Sequence, residues 1–287
     1  MDIRQLTADD IDACIDVFYE ADEALTASRN LPLMPRNPMA IERIFRHVSE
    51  STPHRSWIAE IDGTAIGFGM AIERDQMTFL AFLFVRPDAQ AAGVGAQLYA
   101  RCMPDSGLRG TCIWSIQPIS AALYARNGLV PRTPLYTLIG RPSTPLPPLR
   151  NGLKLTSIEP DEIDGLDREI VGFARRVDHQ AWQRWERQPF ALRDGLKVVG
   201  YGYAQPAGRI GPAVVRDKAD LLPLIGALMN EVDAVEDWMV HVPGVAAESF
   251  TALLRAGMKF DGPPIIFCAS QQGVDHTRYL PTTFALP

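Results

Sequence analysis

The chain repeats itself, and that limits its fold more than any other feature. From Arg141 to Gly152 it crowds Pro142, Pro145, Pro147 and Pro148 into one short stretch that divides the 287 residues nearly in half. Prolines at that density fix φ and remove backbone donors, so the stretch is expected to be an extended linker. On either side the same order of patterns recurs. The first half opens with Ile3-Arg4-Gln5-Leu6 and a Thr7/Asp10 capping-box pattern ahead of Ile11, Cys14, Ile15 and Phe18; the second opens with Leu155-Thr156-Ser157-Ile158 and Pro160 ahead of Ile163, Leu166, Ile170 and Phe173. Both read as strand, cap and amphipathic helix.

The match continues along each half. Trp57 to Ile61, the turn Asp62-Gly63 and Ala65 to Ala71 form a hairpin pattern, repeated by Phe190 to Arg193, Asp194-Gly195 and Val198 to Ala204. Met77 to Val85 leads through a glycine-containing loop into a helix, as Arg209 to Val215 leads into Ala219 to Met229. Thr111 to Ile116 and the helix Ser120 to Asn127, closed by Gly128, correspond to Trp238 to Val242 and Ala246 to Ala256, closed by Gly257. Each half is thus expected to be an α/β (α+β) domain with a mixed sheet, in the order β-α, antiparallel meander, α, β, α, β. The expected division is 1–141, a linker at 142–152, and 153–287.

Composition excludes several classes of function. With 47% apolar and 22% charged residues the chain can build a real core. A net charge of −6 offers no field for a polyphosphate backbone, so nucleic-acid binding is not expected. Cys14, Cys102, Cys112 and Cys268 form no C-x-x-C pair, and the five histidines form no H-x-x-x-H pair. Neither a disulfide framework nor a metal site is expected. Apolar stretches such as Phe79 to Val85 are far below the roughly 20 residues that cross a bilayer, and the start has no basic segment followed by an apolar core. The reading is a soluble, cytoplasmic protein without a membrane partner.

The sharpest local feature is Gln90-Ala91-Ala92-Gly93-Val94-Gly95-Ala96, between a strand and a helix. Small residues let the backbone approach a ligand, and the first-turn N–H groups of the helix favour an anion such as a pyrophosphate. A dinucleotide G-x-G-x-x-G would need glycine at Leu98, and a P-loop would need Gly-Lys-Ser/Thr.

These residues resemble the GCN5-related N-acetyltransferase superfamily, whose acyl-CoA loop reads Gln/Arg-x-x-Gly-x-Gly/Ala after a strand. Downstream, Gln117-Pro118-Ile119-Ser120-Ala121-Ala122-Leu123-Tyr124-Ala125-Arg126-Asn127-Gly128-Leu129 resembles the family's Asn-x-x-Ala-x-x-Leu-Tyr-x-x-x-Gly-Phe segment, with Gln117 in place of Asn and Leu129 in place of Phe. The resemblance implies two tandem domains of this fold and transfer of an acetyl group from acetyl-CoA, as cosubstrate, to a primary amine by direct attack. It implies that the backbone of Leu83, Phe84 and Val85 pairs with the pantetheine arm, that Gln90, Ala91, Ala92, Gly93, Val94, Gly95 and Ala96 cradle the pyrophosphate, and that Tyr124 protonates the departing thiolate. Gln117 belongs to the same cofactor-binding set. The general base is open among Glu73, a water chain and the terminal carboxylate of Pro287, because Met77 to Val85 carries no carboxylate. Glu20, Asp22 and Glu23 precede the proline-rich bend Pro32 to Pro38, which the resemblance implies borders the acceptor; they either hold an amine or form a solvated face. An acyl-CoA-binding or sensing module without turnover, or a transferase using another acyl-CoA or a hydroxyl or thiol acceptor, are the alternatives.

The second half lacks the site. Asp220, Pro223 and Ile225 stand where Gln90, Gly93 and Gly95 stand, and Leu253 stands where Tyr124 does. An acid, a missing N–H and a branched side chain each oppose phosphate binding, so this copy is expected to be catalytically silent. Trp182, Trp185, Tyr201 and Tyr203 are expected to pack in its core or at the domain interface.

Overall fold

The computed structural model describes residues 1–90, 92–158 and 160–286. Two compact units emerge. The first comprises Met1–Val130 with Cys268–Gln271; the second comprises Pro131–Phe267 with the segment from Gln272 onward.

The first unit contains β1 (Asp2–Gln5), α1 (Ile11–Ser28), α2 (Pro38–Ser51), β2 (Ser56–Ile61), β3 (Thr64–Arg74), β4 (Met77–Val85), α3 (Val94–Cys102), β5 (Leu108–Trp114) and α4 (Pro118–Arg126). Strands β1 to β4 form an antiparallel meander, and β5 runs parallel to β4. The capping box is present at the entry to α1: Thr7 N and Oγ1 each donate to Asp10 Oδ2 at 2.8 Å. The tight turn between β2 and β3 places Asp62 at φ 50° and Gly63 at φ 75°, the mirror-image turn that matches strand twist.

Alternation along β3 assigns its two faces. Phe68 stacks on Phe45 of α2 and Phe84 of β4 on one side. Gly67 and Gly69 lie on the other, under α3, where a Cβ on Gly69 would fall 2.7 Å from Cys102 Sγ. Those glycines let α3 lie close to the strand that precedes the candidate site.

The second unit contains β6 (Val130–Gly140), β7 (Leu153–Ser157), α5 (Asp164–Leu166), α6 (Arg176–Arg184), β8 (Gln188–Asp194), β9 (Lys197–Gln205), β10 (Arg209–Val215), α7 (Leu221–Glu231), β11 (Trp238–Pro243), α8 (Ala247–Arg255), β12 (Lys259–Phe260), the start of β13 (Ile265–Ala269), whose Cys268 and Ala269 belong to the first, and β14 (Tyr279–Leu280). Here β7 to β10 repeat the antiparallel meander and β11 runs parallel to β10. Instead of a full helix after β7, α5 runs into a π-helical turn at Asp167–Val171 that Gly172 ends at φ 94°.

Two features depart from the sequence expectation. The compact units do not divide at 141/142. Strand β6, last in the first half of the sequence, is built into the second unit, antiparallel to β11 from Leu135↔Pro243 to Gly140↔Trp238. Conversely, Ser270 lies in the first unit beside β5: its N donates to Arg109 O at 2.9 Å, and its Oγ accepts from Arg109 N and donates to Gly107 O, both at 3.0 Å. The halves have exchanged their closing segments, and pairing partners at such separation leave no trace in local pattern. The proline-rich stretch, moreover, is a strap fastened to the second unit. Leu146 and Leu149 pack on that unit's core, Ser143 N donates to Ala256 O at 2.7 Å, and Arg150 grips Asp220 at 2.5 and 2.6 Å.

Candidate active site

Strands β4 and β5 part company at one residue. They pair from Met77↔Leu108 to Leu80↔Thr111 and no further, while β4 stays paired with β3 as far as Val85↔Gly67. The β3 register shifts between Met70↔Phe82 and Ala71↔Leu80, which leaves Ala81 as the extra residue of a bulge. A bulge bends its strand and increases its twist, so the bend falls where the pairing with β5 ends. Beyond it, Leu83, Phe84 and Val85 are half-buried, and their backbone borders an opening on the β5 side.

At the far end of that opening the chain turns into α3. Gly93 caps the helix at φ 79°, a left-handed conformation that a side chain disfavours. The first intrahelical bond runs from Gln97 N to Gly93 O at 3.2 Å, so the N–H groups of Val94, Gly95 and Ala96 precede the helix ladder and point out of its first turn. Ala92, Gly93 and Ala96 are exposed while Val94 is buried and anchors the turn. A Cβ on Gly95 would meet Val85 Cγ2 at an ordinary 3.7 Å, so packing within the chain leaves room for one. The Gln90 side chain donates from Nε2 to Val85 O at 3.0 Å and ties the loop to the end of β4. Ala91, expected in the same cradle, lies outside the described residues.

Tyr124 sits at the narrow end of the opening. It is 5% exposed on α4, with its ring 6.0 Å from that of Tyr99. Thr111, which donates from Oγ1 to Leu80 O at 3.0 Å, lies beside the Tyr124 hydroxyl and draws its pKa down slightly. Burial, reinforced by Tyr99, raises the Tyr124 phenol well above its ordinary value. A phenol in that state is a proton donor and never a base at neutral pH. Gln117 is the residue before α4, half-buried, and its N donates to Trp114 O at 3.0 Å.

The structure does not bring Glu73 to this group. Its register partner is Thr78, in the part of β4 that β5 still covers. Its carboxylate accepts from Arg55 Nε at 2.7 Å and lies 2.9 Å from His54 Nε2. Burial pushes it up, but the hydrogen bonds of Arg55 and His54 outweigh that and hold it below the usual carboxylate range. It clasps the segment before β2 to the end of β3. The terminal carboxylate of Pro287 lies outside the described residues.

Of the three acids near the end of α1, Glu23 is held by Arg36 at 2.8 Å and Glu20 lies 3.4 Å from Arg86. Asp22 differs. It is 8% exposed, forms no ion pair among the described residues, and is raised above the usual range by burial and then by Glu23. It follows Phe18 by one helical turn, and the Phe18 ring lies 4.9 Å from Phe84 in the open stretch of β4. Thr111 and the isolation of Asp22 escape sequence reasoning, because a strand threonine and an acid in an acidic stretch both read as ordinary.

The second unit splays at the equivalent place, and there the gap is filled. Strands β10 and β11 pair only at Arg209↔Met239 and Ile210↔Val240. Beyond them β14 takes the free edge of β10, with Ala213↔Leu280 and Val214↔Tyr279, and Val215 N donates to Arg278 O at 3.0 Å. Pro223, Ile225 and Leu253 are all buried, and Asp220 is locked to Arg150. Tyr279 is also held from below by a fully buried cluster that sequence pattern does not reveal. Asp167 accepts from Arg175 Nη2 at 3.1 Å, from His179 Nε2 at 2.7 Å and from the Tyr201 hydroxyl; Arg175 Nη1 donates to Tyr279 Oη at 2.8 Å, and His179 Nδ1 lies 2.9 Å from Tyr203 Oη. Burial pushes Asp167 up, but Arg175 and His179 outweigh it and keep the carboxylate ionised. This Asp-His-Arg-Tyr cluster, with Trp182 beside it, has no solvent-exposed surface and fastens α6, β9 and the tail strand together.

Among the described residues no group of three His, Cys, Asp or Glu is placed to hold a metal ion, and no helix is long and apolar enough to cross a membrane.

Comparison with known proteins agrees with this geometry. Residues 19–129 match the model of the acetyltransferase (GNAT) family. No curated protein matches the chain. Among solved structures, a candidate acetyltransferase from Pyrococcus horikoshii superposes with a TM-score of 0.76 over 100% of this chain and 95% of its own, at 16% identity. A GCN5-related N-acetyltransferase from Sphaerobacter thermophilus superposes at 0.60 over 96% and 98%, also at 16% identity. A tandem GNAT protein from the clavulanic acid biosynthesis pathway does so at 0.60 over 93% and 97%, at 15% identity. At such identities the likeness is one of fold, and it spans both halves.

Proposed function

From a chain that carries a domain of the acetyltransferase (GNAT) family in residues 19–129 and has a tandem GNAT fold throughout, we propose an N-acetyltransferase that moves the acetyl group of acetyl-CoA to a primary amine in its first unit. The observation that carries this reading is the coincidence at Leu80 and Ala81 of the bulge and the end of β4–β5 pairing, with Tyr124 buried on α4 beside Thr111, the β5 partner of Leu80.

In this reading acetyl-CoA lies along the opening, its pantetheine amides on the backbone of Leu83 to Val85. Its pyrophosphate meets the N–H groups of Val94, Gly95 and Ala96, beside Gln90, Ala92 and Gly93. The amine nitrogen attacks the thioester carbon directly; the C–N bond forms, the C–S bond breaks, and Tyr124 gives its proton to the leaving thiolate. The attacking amine must first be neutral. Glu73 is engaged elsewhere, so its proton goes to water or to Asp22, the carboxylate without an ion pair on the helix face that carries Phe18.

Thiol release from acetyl-CoA over a panel of primary amines tests the reading. Once an acceptor is found, Tyr124→Phe is expected to lower kcat by about 10²- to 10⁴-fold, the usual weight of a general acid. Full activity in that variant removes Tyr124 from the chemistry. A second reading, an acyl-CoA-binding module without turnover, draws on the engagement of Glu73 by Arg55 and His54; it predicts CoA binding and no thiol release with any amine.

A further inference from the structure

The two faces of β4 differ in what covers them beyond the bulge. Side chains there alternate between the faces. Leu83 and Val85 pack with Leu98 of α3, so that face is closed. Phe82 and Phe84 lie on the other face, where the Phe45 ring of α2 is 4.7 Å from Phe82 and the Phe18 ring of α1 is 4.9 Å from Phe84. Phe18 and Phe45 are buried, but Phe82 and Phe84 are only half-buried. Two aromatic rings thus keep uncovered apolar surface in the stretch of β4 that β5 has left.

The same helix brings a carboxylate to these rings. Asp22 follows Phe18 by one turn and is 8% exposed, and no donor among the described residues is bonded to its carboxylate. A buried acid without a partner is costly, and burial, then Glu23, raises it above the usual carboxylate range. The arginines beside it are spent on its neighbours: Arg36 holds Glu23, and Arg86 lies against Glu20. The chain joining α1 to α2 is fastened to this same turn, where Asn37 N donates to Tyr19 Oη at 2.7 Å and the Arg36 guanidinium lies 5.0 Å from the centre of the Tyr19 ring. That connection carries Leu33 and Met34 with exposed side chains.

We infer that the acceptor is a primary amine with an apolar body and no carboxylate, its nitrogen held by Asp22 and its carbon chain or ring laid on Phe82 and Phe84. The inference rests on the transferase reading above and narrows it to a substrate class. A cation beside ring faces is attracted by their quadrupoles. A hydroxyl placed among these rings loses its water without gaining a partner. A carboxylate next to the nitrogen is repelled by Asp22.

The test follows thiol release from acetyl-CoA with linear alkylamines from propylamine to hexylamine. Aminopentanol, which matches hexylamine in length and ends in a hydroxyl, is one control; phenylethylamine against phenylalanine, which differ by one carboxylate, is the other. The expected kcat/KM rises about fourfold with each methylene. It is expected to fall at least about tenfold from hexylamine to aminopentanol, and again from phenylethylamine to phenylalanine. Asp22→Asn is expected to raise the KM for hexylamine at least about tenfold, the weight of a hydrogen bond to a charged group, and to leave the KM for acetyl-CoA within about twofold. A merely structural role would move both. Phe84→Asn is expected to flatten the alkylamine series; should that variant fail to fold, the series with the parent decides alone. A series without slope, a preference for aminopentanol or phenylalanine, or an unchanged hexylamine KM in Asp22→Asn overturns the inference and leaves acetyl transfer standing. No thiol release with any amine overturns both.

Discussion

The two splayed strand pairs of this molecule have the same design and opposite contents. In the first unit β4 leaves β5 after Leu80, and the edge so exposed runs to a helix whose first turn is built from small residues. In the second, β10 leaves β11 after Ile210, and the protein's own β14 lies on the exposed edge. An edge strand with unpaired N–H and C=O groups calls for a partner. The second unit uses its own tail as that partner; in the proposed function the first leaves the edge for the pantetheine amides. The second unit thus combines a buried Pro223 and Ile225 with a covered edge, whereas the first combines the exposed glycine loop with an open one.

The largest effect should come from giving the first unit a feature of the second. Gly95→Ile copies the residue at the second unit's equivalent position, and its Cβ has ordinary room beside Val85. The rest of the side chain would take up space that the proposed function gives to the phosphates. CoA affinity by calorimetry is expected to fall at least about 100-fold, the loss of roughly 2.7 kcal/mol, while Tm moves by only a few degrees. Unchanged affinity would mean that the ligand does not use this loop.

Asp167→Asn tests the converse, that the second unit's buried cluster is structural. The substitution keeps shape and removes the charge that balances Arg175, so stability should fall by about 3–5 kcal/mol. Urea denaturation should show a lower midpoint with an unchanged slope. Acetyl transfer per folded molecule is expected to stay the same; a selective loss of turnover at full folding would instead give the cluster a share in the chemistry.

How much of this comparison is legible in the sequence depends on whether each feature is local. The repeat, the order of elements, the turn at Asp62-Gly63 and the loop glycines follow from spacing within a few residues, and Tyr124 from the resemblance of its segment to a family motif. The exchange of β6 and Cys268–Gln271, the fastening of the proline-rich strap and the insertion of β14 are long-range pairings, which no periodicity encodes. Asp167, Arg175 and His179 look like solvent-facing residues until their burial is seen, because charge alone does not distinguish a paired interior from a wet surface. Glu73 misleads in the opposite way. It is nearest to the loop strand along the chain, yet sheet register places it at the closed end of the β4–β5 pair.

The remaining tests separate the two ends of that pair. At the open end, Thr111→Val removes the hydroxyl beside Tyr124 and its bond to Leu80 O while keeping the strand's shape. The phenol is then held less firmly, and kcat should drop about 10-fold with little change in KM, because orientation in the transition state is lost and ground-state binding is not. At the closed end, Glu73→Gln should leave kcat within about twofold, since nothing in its surroundings reaches Tyr124. The variant should lose about 0.2–1 kcal/mol of stability, the usual value of a partly exposed ion pair. Its pH dependence follows from the depressed Glu73 pKa: the contribution is present above the unfolded carboxyl value and is lost as pH falls through the lower folded one. The stability gap between parent and variant should accordingly be full at neutral pH and close on acidification. A Glu73→Gln enzyme that folds normally and turns over a hundredfold more slowly would return the base to Glu73, and the closed end of the pair would then share in the chemistry.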